Sequence, residues 1–82
     1  MKPYIIIFKP CSLDDREELE VVYATSDSNA MFKWLNEPEN NRKHYTGRFN
    51  YPITEEDVES FNSDYESFRK EQYKPSPYFG YN

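Results

Sequence analysis

Residues 4–8 read Tyr-Ile-Ile-Ile-Phe, a short run of large apolar side chains between Pro3 and Pro10. β-branched and aromatic residues are typical of strands, and a run of this length is short for a helix. The stretch therefore predicts a buried first strand.

The next segment, residues 16–25, alternates between apolar and polar side chains. One face would carry Leu19, Val21 and Tyr23, and the other Glu18, Glu20 and Val22. A period of two is typical of a half-buried strand. Because few residues separate this second strand from the first, we expect an antiparallel pair, since a parallel pair needs a longer crossover.

A first helix is predicted after Ser26 or Asp27, either of which can serve as its N-cap. Apolar residues then recur at helical spacing over about ten residues. They are Ala30, Met31, Trp34 and Leu35. We expect Trp34 to anchor the core, although a half-exposed Trp could instead serve as an interface anchor.

A third strand is predicted where Tyr45, Gly47, Phe49 and Tyr51 alternate with polar residues. The polar run that precedes it, residues 37–43, is typical of a loop. Glycine inside a strand often marks a β-bulge, so an irregularity is expected at Gly47.

Residues 54–68 read Thr-Glu-Glu-Asp-Val-Glu-Ser-Phe-Asn-Ser-Asp-Tyr-Glu-Ser-Phe. Thr54 with Asp57 resembles a capping box, which predicts the start of a second helix. A single stripe of that helix carries Val58, Phe61, Tyr65 and Phe68, and it must pack on an apolar surface such as the sheet.

Together these elements predict an α+β fold with a small three-stranded, mainly antiparallel sheet and two helices in the order β-β-α-β-α. Residues 1–73 would form a single domain. Residues 74–82 contain two prolines, one glycine and three aromatic residues, which predicts an irregular C-terminal tail.

Charge narrows the choice of partner. The 82 residues include 15 acids and 10 bases, giving a formal charge of −5, which disfavours direct binding to nucleic acid or an anionic membrane. A basic protein is the more natural partner. The single Cys11 excludes an intramolecular disulfide, and the apolar run before Lys9 is too short for a signal peptide or membrane span. We therefore expect a cytoplasmic protein.

The acids themselves are the candidate partner-binding residues. Six carboxylates and no base lie between Thr54 and Phe68. On a continuous helix, one row would carry Glu55, Glu59 and Glu66, and a second row Asp57, Asp64 and Glu71. Glu56 lies beside them, and a second acidic cluster contains Asp14, Asp15, Glu17 and Glu18. The alternative interpretation is a solvated helix face whose N-terminal acids are favoured by the helix dipole.

Two further groups could contact a partner. Tyr78, Phe79 and Tyr81 could fold back onto the sheet or dock as a short arm in a partner's groove. Basic and aromatic residues also lie close together in the middle of the chain, and this composition is typical of sites that bind single-stranded nucleic acid. This basic cluster contains Arg42, Lys43, His44, Tyr45 and Arg48.

The sequence shows no pattern of catalytic or metal-binding residues. His44 and Cys11 lack partners at metal-ligand spacing, the acidic turn lacks the glycine of a calcium loop, and no nucleophile motif is present. We expect neither an enzyme nor a cofactor.

The function predicted is a small acidic interaction module that blocks a basic, nucleic-acid-binding site on a larger complex. A strand followed by a capped amphipathic helix in a small acidic domain is similar to small phage-encoded inhibitors of host machinery. That resemblance implies a defence or transcription complex as the target, reached in the host cytoplasm. One alternative is a homo-oligomeric structural or regulatory protein, and another is a weak single-stranded nucleic-acid binder.

Overall fold

The structure is a computed structural model, and it describes residues 1–11, 13 and 16–72. The elements within these residues are β1 Lys2–Lys9, β2 Glu18–Ala24, α1 Asp27–Asn36, a 3₁₀ turn Pro38–Asn40, β3 His44–Arg48, α2 Glu55–Ser63 and α3 Tyr65–Gln72. The α+β class and the order β-β-α-β-α are confirmed, with the second helical segment divided in two. The predicted tail, residues 74–82, lies outside the described residues.

The sheet has the strand order β2-β1-β3, and both neighbours run antiparallel to β1. The antiparallel pairing predicted for the first two strands is confirmed, with Ile5 opposite Val21. On the other side of β1, Phe49 donates its N–H to the Ile5 carbonyl and Ile53 donates to the Pro3 carbonyl, both at 2.9 Å. The odd-numbered residues of β1 therefore bond toward β3, and the even-numbered ones bond toward β2.

Both faces of the sheet are covered, which is why the central strand is apolar without alternation. One cluster packs beneath α1 and contains Tyr4, Ile6, Phe8, Ala24, Ala30 and Trp34. The opposite cluster packs beneath α2 and α3 and contains Ile5, Ile7, Leu19, Phe49, Ile53 and Phe68. Neighbouring residues of β1 therefore pack in different clusters, one on each face of the sheet.

Helix α1 faces the sheet through Trp34, which is 2% exposed, so its predicted role in the core is confirmed. The indole ring lies 5.4 Å from the Phe8 ring, and its Nε1 donates to Glu20. Leu35, which was expected on the same face, is 48% exposed. Ser26 caps the helix by accepting from the Asn29 N–H at 3.1 Å, as predicted.

The third strand is shorter than predicted, because it ends at Arg48 rather than Tyr51. Its pairing with β1 shifts register between Ile7 opposite Gly47 and Phe8 opposite Tyr45, which leaves Thr46 as the extra residue. The extra residue forms a β-bulge immediately before Gly47, which itself stays paired with Ile7.

The predicted continuous helix over residues 54–72 is wrong, since Asp64 separates α2 from α3 with φ −147° and ψ 81°. The Asp64 N–H closes α2 on the Ser60 carbonyl, while its side chain accepts from the Ser67 N–H at 3.2 Å and from the Ser67 hydroxyl at 2.9 Å. Asp and Ser side chains compete in this way with the helical backbone. The capping box of Thr54 and Asp57 is confirmed.

The apolar stripe of this helical segment still packs on the sheet as predicted. Phe68 is buried, and Val58, Phe61 and Tyr65 are partly buried against the same cluster. The rings of Phe61 and Tyr65 meet edge to face at 5.0 Å. Both short helices are therefore held by tertiary packing, as helices of this length require. Among the described residues, no helix combines the length and apolarity needed to cross a membrane.

Candidate functional site

A groove of about 430 Å³ lies along α2 and α3, where Asp64 interrupts the helix. Its lining combines carboxylates, serine hydroxyls and one aromatic ring. The lining residues are Glu56, Asp57, Glu59, Ser60, Ser63, Asp64, Ser67, Phe68 and Glu71. No Lys, Arg or His belongs to this set, so the groove is acidic and hydroxyl-rich, with Phe68 as its one aromatic residue.

Three of the five groove carboxylates are uncommitted. Within the described part of the chain, Glu56, Glu59 and Glu71 make neither an ion pair nor a side-chain hydrogen bond, and each is in an exposed residue. Asp57 and Asp64 are instead used as helix caps. The groove can therefore offer free carboxylate oxygens from both helices to one ligand.

Asp64 is the most strongly stabilised anion in the groove. Hydrogen bonds from the Ser67 hydroxyl and N–H lower the pKa of its carboxyl, and the positive charge of Lys70 acts in the same direction. The carboxylate therefore stays ionised at neutral pH, and each of its two oxygens already accepts one hydrogen bond from Ser67. It contributes charge to the groove more than it contributes a free ligand atom.

Glu55 was predicted to share a row with the groove acids, but it lies outside the groove lining. Its carboxylate accepts a hydrogen bond from the Tyr23 hydroxyl at 3.1 Å. Burial raises the pKa of Tyr23, and the hydrogen bond to Glu55 raises it further. Glu55 therefore connects α2 to β2.

Glu66 also leaves the predicted row, because the break at Asp64 changes the direction of the helix. Its carboxylate is shared by Arg16 and by Arg69, the latter at 3.2 Å. The hydrogen bond from Arg16, followed by that from Arg69, lowers the pKa of Glu66.

The second acidic cluster meets the helical segment through Arg16. The Arg16 Nε lies 2.6 Å from the Glu18 carboxylate, while its Nη2 bonds Glu66. Glu18 also accepts from the Tyr65 hydroxyl at 2.6 Å, and burial followed by this bond raises the pKa of Tyr65 to about 12. Glu18 and Glu66 are therefore joined by a cation and do not form one continuous negative surface.

The remaining predicted partner-binding residues are Glu17 and five residues outside the described part of the chain. Glu17 is half-buried and lies beside the Arg16 and Glu18 pair in sequence. The remainder lie outside the described residues: Asp14, Asp15, Tyr78, Phe79 and Tyr81.

The basic cluster is largely occupied by contacts within the chain. Arg48 donates to Asp27 and to the Tyr45 hydroxyl, both at 2.9 Å. The Tyr45 ring lies 6.2 Å from Trp34, and the Lys43 ammonium lies 5.1 Å from the Phe8 ring centre. Arg48 and Tyr45 are therefore both engaged in contacts within the chain.

Sequence reasoning missed two features of the site. The first is Arg16, whose position among Glu17 and Glu18 was the available signal for an ion-pair network. The second is the groove, which depends on the break at Asp64. The available signal was Asp64 three residues before Ser67, a spacing at which an N-cap side chain meets the N3 backbone.

In the described part of the chain, no group of three or more His, Cys, Asp or Glu residues is placed to hold a metal ion. No protein-family model, curated protein or solved structure matches the chain.

Proposed function

We propose that this protein is an interaction module whose α2–α3 groove receives a basic segment of a partner protein. The observation that supports the proposal is the groove lining, which contains five carboxylates, three serine hydroxyls and Phe68, with no base among them. Guanidinium and ammonium groups are pure donors, and carboxylate and hydroxyl oxygens are the acceptors that suit them.

The placement of the uncommitted acids on two helices supports a basic segment as the ligand. Glu56 and Glu59 project from α2, and Glu71 projects from α3. A segment with several basic residues can contact both helices at once.

A nucleic-acid-handling complex is the partner class that fits this chemistry best. Such complexes display basic surfaces for phosphates, and an acidic groove with a net charge of −5 behind it can occupy such a surface. The protein would then act as an inhibitor of a host defence or transcription complex, in the cytoplasm and without catalysis. Attraction between opposite charges would speed association and make it sensitive to salt.

The experiment measures binding of fluorescein-labelled octa-arginine by fluorescence anisotropy at low and at physiological salt. The groove variant is Glu56→Gln with Glu59→Gln. The matched control is Glu37→Gln with Glu39→Gln, two exposed acids that flank or lie in the 3₁₀ turn, away from the groove. Both double variants change the formal charge from −5 to −3, because each removes two negative charges.

We expect the groove variant to weaken binding about 3- to 30-fold at low salt, the range for loss of two partly screened charge contacts. The control variant should bind within about twofold of the wild type, since it retains every groove acid. Equal weakening by the two variants would show that net charge alone attracts the peptide. That result, or an absence of binding at low salt, would contradict the proposal that the groove binds a basic segment.

A further inference from the structure

The outer edge of β2 has backbone groups that no strand covers among the described residues. The even-numbered residues of β1 bond toward β2, so the β2 residues opposite the odd-numbered ones direct their N–H and C=O groups away from the sheet. These outward residues are Leu19, Val21 and Tyr23. Exposed strand edges are templates for pairing with another chain, and proteins commonly block them.

Two side chains already occupy part of this edge. The Tyr65 hydroxyl accepts the Leu19 N–H at 2.7 Å, and the Lys33 ammonium donates to the Tyr23 carbonyl at 2.9 Å. Tyr65 reaches the edge from α3 on one face of the sheet, and Lys33 reaches it from α1 on the other. Between them, the outward N–H and C=O of Val21 have no partner within the described chain.

The edge is complementary to a second copy of itself. In an antiparallel pair with its twofold axis at Val21, Val21 lies opposite Val21, and Leu19 lies opposite Tyr23 of the other copy. The Leu19 N–H would then donate to the Tyr23 carbonyl across the pair. Tyr65 and Lys33 occupy these same two groups, so both side chains block the same bonds.

Charge along the edge also fits a second antiparallel copy. Glu18 and Glu20, with Arg16 paired to Glu18, lie at the first end of β2. Lys33 and Lys2, with Glu55 bonded to Tyr23, lie near its last residues, so the first end is the more acidic and the last end the more basic. Antiparallel pairing brings the acidic end of one copy to the basic end of the other. A parallel arrangement would place like charges together.

We propose that the outer edge of β2 is a pairing surface for a second copy of this chain, which Tyr65 and Lys33 hold closed. The wild-type protein is therefore a monomer that carries a latent dimer interface. This surface is separate from the α2–α3 groove, and it uses backbone groups of β2.

The test combines Tyr65→Phe with Lys33→Ala and measures mass by light scattering over a range of protein concentrations. Phe retains the ring that packs on Phe61 while removing the hydroxyl from the Leu19 N–H. The wild type should keep a mass of 9.9 kDa, and the double variant should rise with concentration toward twice that value. Lys33→Ala alone, which replaces no buried side chain, should show a weaker rise.

Val21→Pro, added to the double variant, identifies the surface. Its N–H points away from β1, and proline is tolerated on an edge strand at such a position, so the triple variant should fold by circular dichroism yet return to a monomer. Three results would overturn the proposal. In the first, the double variant folds, and both it and the Lys33→Ala variant stay monomeric. In the second, the wild type is as dimeric as the double variant. In the third, the triple variant folds and remains dimeric.

Discussion

Replacing Phe68 by Ala tests whether α3 is held by its contact with the sheet. Phe68 is 4% exposed and packs in the cluster that contains Ile5 and Leu19. Its ring meets Phe61 edge to face at 5.3 Å. The substitution removes that ring while retaining every acid of the α2–α3 groove, so its effect reports on packing and not on charge.

The cost follows from the size of the cavity. Truncating a buried Phe to Ala typically costs about 3 to 5 kcal/mol, because the loss of apolar burial adds to the cavity left behind. At roughly 0.05 to 0.15 kcal/mol per residue, a chain of 82 residues is stabilised by about 4 to 12 kcal/mol in total. We therefore expect the variant to lose at least a quarter of its stability and to melt at least roughly 12 °C lower.

The assay is urea unfolding followed by far-UV circular dichroism and by fluorescence of Trp34, the single tryptophan. Trp34 lies under α1 on the opposite face of the sheet from Phe68, so its emission reports whether the loss of packing under α3 reaches the other core. In a two-state domain, both signals shift to the same lower midpoint. Phe32→Ala is the matched control, because Phe32 is 62% exposed and should change stability by no more than about 0.5 kcal/mol.

Two results would refute the reasoning behind this prediction. A loss of less than about 1 kcal/mol would mean that α3 does not bury Phe68 against the sheet, since that value is typical of an average substitution. Separate midpoints for the two signals would mean that the two cores unfold independently. Either result would also weaken the proposal that the groove binds a partner, because Phe68 belongs to the groove lining.

Two other predictions concern Gly47 in β3 and the ion pair between Arg48 and Asp27. Gly47→Ala should raise stability by about 0.4 to 1 kcal/mol in thermal melts, because the added methyl would lie 3.9 Å from Ile7 Cδ1 and alanine restricts the unfolded chain. A loss of stability would mean that the added methyl does not fit at this position. The hydrogen bond from Arg48 lowers the pKa of Asp27 in the folded protein. The pair therefore stabilises the fold at pH values above about 3.9, the pKa of Asp in the unfolded chain. This stabilisation is lost as the pH falls through the lower pKa that Asp27 has in the folded protein. Asp27→Asn should therefore lose less stability than the wild type between pH 5 and pH 2 in urea melts; equal pH dependence would show that the pair does not contribute.

Much of the fold could be predicted because the first half of the chain has unambiguous periodicity. The run at residues 4–8 and the alternation around Leu19 and Val21 each match one strand pattern, and the short connection between them allows only an antiparallel pair. The capping side chain of Ser26 and the spacing of Ala30 and Trp34 locate α1 in the same way. In these segments local preference and tertiary packing agree.

The break at Asp64 could not be read from periodicity, because the apolar stripe continues through it. Val58 and Phe61 on α2, and Tyr65 and Phe68 on α3, all pack on the same sheet face. A helical wheel records this shared face and is insensitive to a local change in backbone direction. The interruption depends on Asp64 bonding Ser67 in place of continuing the helix, which is a competition between two local arrangements of similar energy.

The same break decides which acids can meet a partner. A count of charges treats all carboxylates of residues 54–71 alike, but the fold divides them into groups with different bonds. Asp57 and Asp64 cap helices, Glu55 accepts a hydrogen bond from the Tyr23 hydroxyl, and Glu66 is held by Arg16 and Arg69. The carboxylates of Glu56, Glu59 and Glu71 remain, and all three line the groove along α2 and α3. Because the uncommitted acids converge on one concave surface, selective binding of a basic segment is a more specific proposal than attraction to negative charge.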